Sequence, residues 1–335
     1  MSNRFPEDER QRKQREAAKL TAHRGLATWG EKLVPLERFR EATAKAGREL
    51  TSAERASAAA GYLEPIADGL PVEGPYERIA VFGGVYNNHY GVAALLEDAA
   101  RRGAEAIYCL GDLGGFGPSP EKVLPLLVEG GVAAIQGNYE ESLSSGREDC
   151  NCGYTDPRDN HFAEISYRYT AENCSAGFKR WMGELPRRRR VAVGGRELLL
   201  VHGSPRRINE FLFASTSPDP FLEVLLDQER ADGFLCTHTG LPWHRRLPSG
   251  RDAVNVGVIG RPANNGRTEV RYAIVEARDD ALAVDIVPLC YDHQGLATEM
   301  SREGLPREFI ETIETGWWTT CLEILPARER ARSRF

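Results

Sequence analysis

The pattern of apolar and polar positions changes near residue 77. Before it, apolar residues recur only loosely, at helical spacing (Leu33, Leu36, Phe39), among many Ala, Glu, Arg and Lys. That predicts one to three helices ending near Gly69–Pro75 and no strand. From Glu77 on, short β-branched runs alternate with amphipathic stretches. RIAVFGG reads as a strand, GVAALLEDAARRG as a helix with a Gly stop, AIYCLGD as a strand, SPEKVLPLLVEGG as a helix and VAAIQGN as a third strand. This β-α-β-α-β order predicts a sheet with crossover helices. Residues 141–188 interrupt it with the loop REDCNCGYTDPRDNH and then a helical stretch through Trp181 and Leu185. Within the loop, TDPRDNH reads as a polar turn, with a lid over a substrate as its functional alternative. Strands resume with RVAV, ELLLVHG, GFLCTHTG, AVNVGVIG, EVRYAIVEA and ALAVDIVPL, broken by one helix, PFLEVLLDQ, and the tail from about 291 is helical again. The expected organisation is a helical extension over 1–75, a main α/β domain over 76–290 with 141–188 inserted, and a helical tail over 291–335.

Composition narrows the function classes. The chain has 335 residues, is 41% hydrophobic and 27% charged, and carries a net charge of −6. No apolar run approaches the roughly 20 residues that cross a bilayer, and the N-terminus is charged from the start, so neither a membrane span nor a secretory signal is expected. Seven widely spaced cysteines in a chain of this size predict a reducing, cytoplasmic setting. Residues 1–48 hold 12 Lys/Arg against 7 Asp/Glu, which leaves −11 on the remainder. An acidic body argues against general nucleic-acid binding, and the basic arm reads as a solvated extension. Only seven histidines are present, at 23, 89, 161, 202, 238, 244 and 293.

Candidate chemistry lies at four strand ends, each a Gly or Thr beside a metal-ligand type: Gly111-Asp112, Gly137-Asn138, His202-Gly203 and Thr237-His238-Thr239. Strand C-termini of α/β sheets open onto one crevice, so Asp112, Asn138, His202 and His238 can converge there. Two oxygens and two imidazole nitrogens suit a borderline divalent ion.

With these motifs in view, residues 77–290 resemble the calcineurin-like metallophosphoesterases, in particular the bacterial phosphodiesterase branch. The resemblance runs through CLGDLGGFGPSP, QGNYE, LLLVHGSPRRINEFLF, CTHTGLP and NVGVIGRP. It implies two facing mixed sheets in a four-layer sandwich, a site that usually holds two divalent ions, and phosphoester hydrolysis by metal-activated water. It places Asp112 as the bridging ligand, with Asn138, His202 and His238 on one of the two ions. The ligands private to the other ion, an Asp-x-His pair and a final His, fall on Gly84, Tyr86 and Gly240, and the family's leaving-group His falls on Tyr139.

A site that has lost one complete ligand set and kept the other reads as rebuilt rather than dead. Either one ion remains, of Mn, Fe, Zn, Co or Ni, with Arg206, Arg207 and Arg261 supplying the missing charge to phosphate, or other residues restore a second ion. Candidates for that are His89, His161, His244, Cys150 and Cys152, a thiolate favouring zinc or iron. Tyr139 either packs or donates to the leaving oxygen. His89 either caps a helix or touches substrate; Asn87 and Asn88 read as turn formers, although the family's equivalent loop faces the site and makes Asn87 a candidate ligand or substrate contact. Arg188–Arg190 read as a solvated turn, and Trp317 and Trp318 as packing anchors. The expected activity is hydrolysis of a small phosphorylated substrate, a phosphodiester or phosphomonoester, by a protein that is free to form a homo-oligomer. The alternative is a non-hydrolytic metal-holding scaffold or sensor.

Overall fold

The computed structural model divides into two units, Met1–Pro65 and Ile66–Phe335. It describes residues 69–278 and 281–334, and of the first unit only the backbone of two strands. Those strands, β1 (Leu26–Trp29) and β2 (Lys32–Pro35), form an antiparallel hairpin where the sequence predicts helix. The rest of the predicted helical extension before residue 69 lies outside the described residues.

In the second unit the elements run β3 (Val72–Tyr76), β4 (Arg78–Phe82), α1 (His89–Arg101), β5 (Ala106–Cys109), α2 (Val123–Glu129), β6 (Ala133–Ala134), α3 (Asn138–Ser145), α4 (Pro157–Asn173), α5 (Ala176–Glu184), β7 (Arg189–Val193) and β8 (Arg196–Leu200). They continue with α6 (Asp219–Glu229), β9 (Gly233–Cys236), β10 (Trp243–Arg246), β11 (Asp252–Asn255), β12 (Val270–Arg278), β13 (Ala281–Leu289), α7 (His293–Arg302), α8 (Arg307–Thr315) and α9 (Ala327–Arg330). Two mixed sheets result, β10-β11-β9-β8-β7-β3 and β13-β12-β4-β5-β6. The β-α-β-α-β series forms the parallel run β4-β5-β6.

Period-two alternation decides which side chains fill which layer. Ile79 and Val81 of β4 join Leu198 and Leu200 of β8 between the sheets. Ala80 and Phe82 face the opposite way and pack under α1, α2 and α5, with Val92, Leu127 and Met182. Leu199 faces α6, against Leu222 and Leu226. The order is therefore helices, sheet, sheet, helix.

Three local departures from the sequence reading have physical causes. Strands β3 and β10 were not expected: β3 is an edge strand carrying Pro75, and β10 is the polar run WHRR, so neither shows an apolar alternation. The segment TDPRDNH is not a turn but the start of α4, where the Asp156 carboxylate accepts from the Arg158 amide and Pro157 takes the first helical position. Arg188 and Arg190 are buried rather than solvated; Arg188 donates to Glu229 at 3.0 Å, and Arg190 reaches Glu197 and the Glu229 carbonyl. Among the described residues no helix is long and apolar enough to cross a membrane.

Candidate metal centre

The four predicted ligands stand at one end of both sheets. Asp112 follows β5 and Asn138 follows β6, from one sheet; His202 follows β8 and His238 follows β9, from the other. The loops interlock through close backbone approach: Gly111, at φ +86°, would put an added Cβ 2.2 Å from the Gly137 nitrogen, so only glycine fits. Asp112 and His238 themselves adopt left-handed backbone, φ +55° and +67°. Such strain in non-glycine residues gathers at functional sites.

His202 Nε2 stands 3.2 Å from Asp112 Oδ2, 3.1 Å from Asn138 Oδ1 and 3.0 Å from His238 Nδ1, and His238 Nδ1 is 3.9 Å from Asp112 Oδ2. Ligand atoms about 2.1 Å from one tetrahedral ion lie about 3.4 Å apart, so these spacings fit one divalent ion. Each ligand is oriented from behind. The Leu110 carbonyl lies 2.6 Å from His202 Nδ1 and the Cys152 carbonyl 3.1 Å from His238 Nε2, which turns the other ring nitrogen of each inward. Asn138 Nδ2 donates to the Cys150 carbonyl at 2.8 Å, which leaves Oδ1 facing the histidines. Such backing partners fix tautomer and aim in metal sites. Burial opposes ionisation of Asp112, but the two imidazoles outweigh it and hold the carboxyl well below the usual range. Burial likewise lowers His238, whereas at His202 the Asp112 charge overcomes burial and raises it.

A further residue, not singled out from the sequence, organises this centre. Buried Glu140 accepts from the amides of Asp112 and Leu113 at 2.8 Å each and of Gly137 at 2.7 Å. Burial and the neighbouring Asp112 charge push its carboxyl up to about 7. The readable signal was a glutamate three residues into a helix that opens at Gly137, the spacing of a capping box.

The other candidates are distributed differently. Cys150 and Cys152 are joined in a disulfide, so in this form neither sulfur offers a thiolate to an ion; their loop folds over the centre and contributes carbonyls instead. The Tyr139 amide donates to Asp112 Oδ1, while its phenol is held by Ser166 Oγ at 2.9 Å, and burial raises it far above the usual phenol range. Arg206 forks the Glu210 carboxylate and lies over Phe221, and Arg207 Nε donates to Asn209 Oδ1. His89 opens α1 and faces Glu299 at 3.5 Å; His161 is an exposed residue of α4 against Phe162; His244 pairs with Asp252 at 2.8 Å. Asn87 Nδ2 bridges the carbonyls of Gly115 and Gly117, and Asn88 caps α1 through the Gly91 amide, as turn formers do. Among the described residues, the triad Asp112, His202 and His238 is the one His/Cys/Asp/Glu group close enough to hold an ion.

A cover closes the centre. The Phe211 ring lies 4.3 Å from the His238 ring, and Tyr154 lies 5.5 Å from Phe211. The Asn209 amide anchors the covering loop by donating to the Asn151 carbonyl at 2.6 Å. None of the four ligand residues is more than 5% exposed.

Comparison with known proteins agrees with this fold. An uncharacterised protein of Methanocaldococcus jannaschii is 22% identical over 254 residues, which cover 71% of this chain and 98% of that one. The crystal structure of a hypothetical protein from Pyrococcus horikoshii matches at a TM-score of 0.61 and 22% identity, over 72% of this chain and 99% of that one. The crystal structure of a metallophosphoesterase from Sphaerobacter thermophilus matches at 0.56 and 23% identity, over 71% and 98%. These likenesses show the fold. The family model of the calcineurin-like phosphoesterase superfamily domain matches residues 78–280, more than half of the chain, and the chain belongs to that superfamily.

Proposed function

We propose that this protein is a metal-dependent phosphoesterase acting on a small phosphomonoester or phosphodiester, with one divalent ion held by Asp112, Asn138, His202 and His238. The observation that carries this reading is the convergence of four ligand atoms from both sheets, each aimed by a partner behind it. When bound, the ion supplies Lewis acidity toward a phosphoryl oxygen and acidifies a water molecule. The chain does the rest. Glu140 holds the Asp112 and Gly137 loops in register, the Tyr139 amide holds the Asp112 carboxylate, and Phe211 shields the His238 ring from water. Arg206, paired with Glu210 and lying over Phe221, and Arg207, bonded to Asn209, shape the segment that anchors the cover. Substrate enters by displacing the Cys150–Tyr154 loop.

The test is purified protein loaded in turn with Mn, Fe, Zn, Co or Ni and offered phosphomonoester and phosphodiester panels. Metal-dependent turnover that disappears in His202→Ala is expected. Metal retention without turnover on any panel overturns the hydrolase. One observation favours the second reading, a metal-holding scaffold: the cover leaves all four ligands buried. A hydrolase must open that loop, so rapid ligand exchange at the ion separates it from a closed scaffold.

A further inference from the structure

Arg261 is a buried cation on a loop that adjoins the metal centre, and no described residue balances its charge. Its loop is fixed by backbone: the Ile259 and Gly260 amides donate to the Gly83 and Gly84 carbonyls, while the Gly84 and Tyr86 amides donate to the Gly111 and Asp112 carbonyls. One short loop thus connects Arg261 to the ligand Asp112. The guanidinium stacks on Trp318 at 3.5 Å from the ring centroid, with Phe116 at 5.1 Å and Tyr86 at 5.9 Å. Among the described residues it makes no ion pair, and its buried Nε has no hydrogen-bond partner. Cys321 and Tyr154 lie beside it, but burial keeps the Cys321 thiol and the Tyr86 and Tyr154 phenols neutral. Aromatic faces offset only part of the cost of burying a cation.

Two of the three positions where the resemblance leads one to expect ligands for a second ion, Tyr86 and Gly240, border this guanidinium, and the third, Gly84, is hydrogen-bonded through its carbonyl to the neighbouring Gly260 amide. At Gly84 an added Cβ would lie 2.2 Å from the Val258 side chain. At Gly240 it would lie 2.8 Å from the Trp318 ring and 3.2 Å from Arg261 Nη2. Tyr86 fills the remaining position with a side chain whose ring would lie 2.5 Å from a Cβ on Gly260. No side chain longer than hydrogen fits at the two glycines: Val258 fills the space beside Gly84, and Trp318 and the permanent positive charge of Arg261 fill that beside Gly240.

We propose that Arg261 is the resident second cation of the site: its guanidinium takes the place of a metal ion and forms the oxyanion-binding half of the substrate pocket. This rests on the phosphoesterase reading for its substrate class. A planar fork of donors suits phosphoryl oxygens, and a bare Nε is a donor still to be used. A lysine retains the charge without the fork, and a methionine retains approximate length without either.

The experiment has two readings on the full chain. Metal content is measured after loading with excess Mn2+ or Zn2+ and desalting. One ion per chain is expected, and two tightly held ions overturn the proposal whatever the activity. Inorganic phosphate binding to the loaded protein is then measured by calorimetry for wild type, Arg261→Lys and Arg261→Met. Methionine is expected to weaken phosphate by about tenfold to a hundredfold with the ion count unchanged, and lysine to fall between. Equal phosphate affinity in wild type and a folded Arg261→Met, or no phosphate binding by wild type, overturns it. Should Arg261→Met fail to fold, the wild-type ion count and the lysine variant still decide. If phosphate binds through Arg261 to a one-ion protein that turns over no ester, the inference stands and the hydrolase reading falls.

Discussion

At the scale of single residues, the centre depends on groups behind the ligands as much as on the ligands. Glu140 shows this most directly, because one buried carboxylate accepts three backbone amides from the two loops that carry Asp112 and Asn138. Glu140→Ala leaves those amides without an acceptor, at about 1–3 kcal/mol for each buried orphan. A loss of about 3 kcal/mol or more is expected in urea unfolding, together with weaker metal binding. Glu140→Gln keeps one accepting oxygen but presents a donor to the other amides, so it should fall between. A melting curve for Glu140→Ala that overlays wild type would show that the loops are held by other means. The resemblance gave the ligand positions but no reason to look at Glu140, whose role appears only when residues 111–113 and 137 are brought together.

Among the elements, the tail and α4 are joined by a pair of acids. Asp159 is buried in the first turn of α4 and accepts from the Ile324 amide at 2.8 Å. Burial, then the neighbouring Glu323 carboxylate, raises its carboxyl to about 7. Arg158 and Arg330 balance Glu323 from outside at 3.4 and 3.8 Å. The folded-state value of Asp159 lies above its unfolded value near 4. Its contribution is therefore complete below about pH 4 and is lost as pH rises through about 7. Amide exchange at Thr319–Leu325, corrected for intrinsic rate, should accelerate between pH 6 and 8.5, and Asp159→Asn should flatten that rise. Acceleration that persists in the Asn variant would assign it to another group. The tail also supplies Trp318, Leu322 and Leu325, which pack with Phe213, next to the Phe211 that covers His238. Release of the tail should therefore loosen the cover.

For the whole molecule, an ion held as proposed would join the two sheets. Two ligands come from each, so an ion that binds the folded chain and not the unfolded one raises stability by mass action. At a free-ion concentration a hundred times Kd the gain is about 2.7 kcal/mol. Chelation should lower Tm by about 5 °C or more, and re-addition of the preferred ion should restore it. His202→Ala should abolish that difference. Chelation that leaves Tm unchanged in wild type would mean that the four groups hold no ion in solution.

Local pattern alone located most of this molecule. Alternation and Gly stops marked β4, α1, β5, β6, β8 and β9, because those elements bury an apolar face and such burial leaves a periodic trace. They also fixed which four residues stand at strand ends. Elements without such a face left no trace: the edge strand β3, the polar β10 and the β1–β2 hairpin. The aim of His202 and His238, the grip of Glu140 on the Asp112 loop and the cage around Arg261 join residues 27 to more than 100 positions apart. Chain-local rules carry no information about such pairs. Packing settled them, since a polar group excluded from water must find its partner wherever the two sheets bring one within reach.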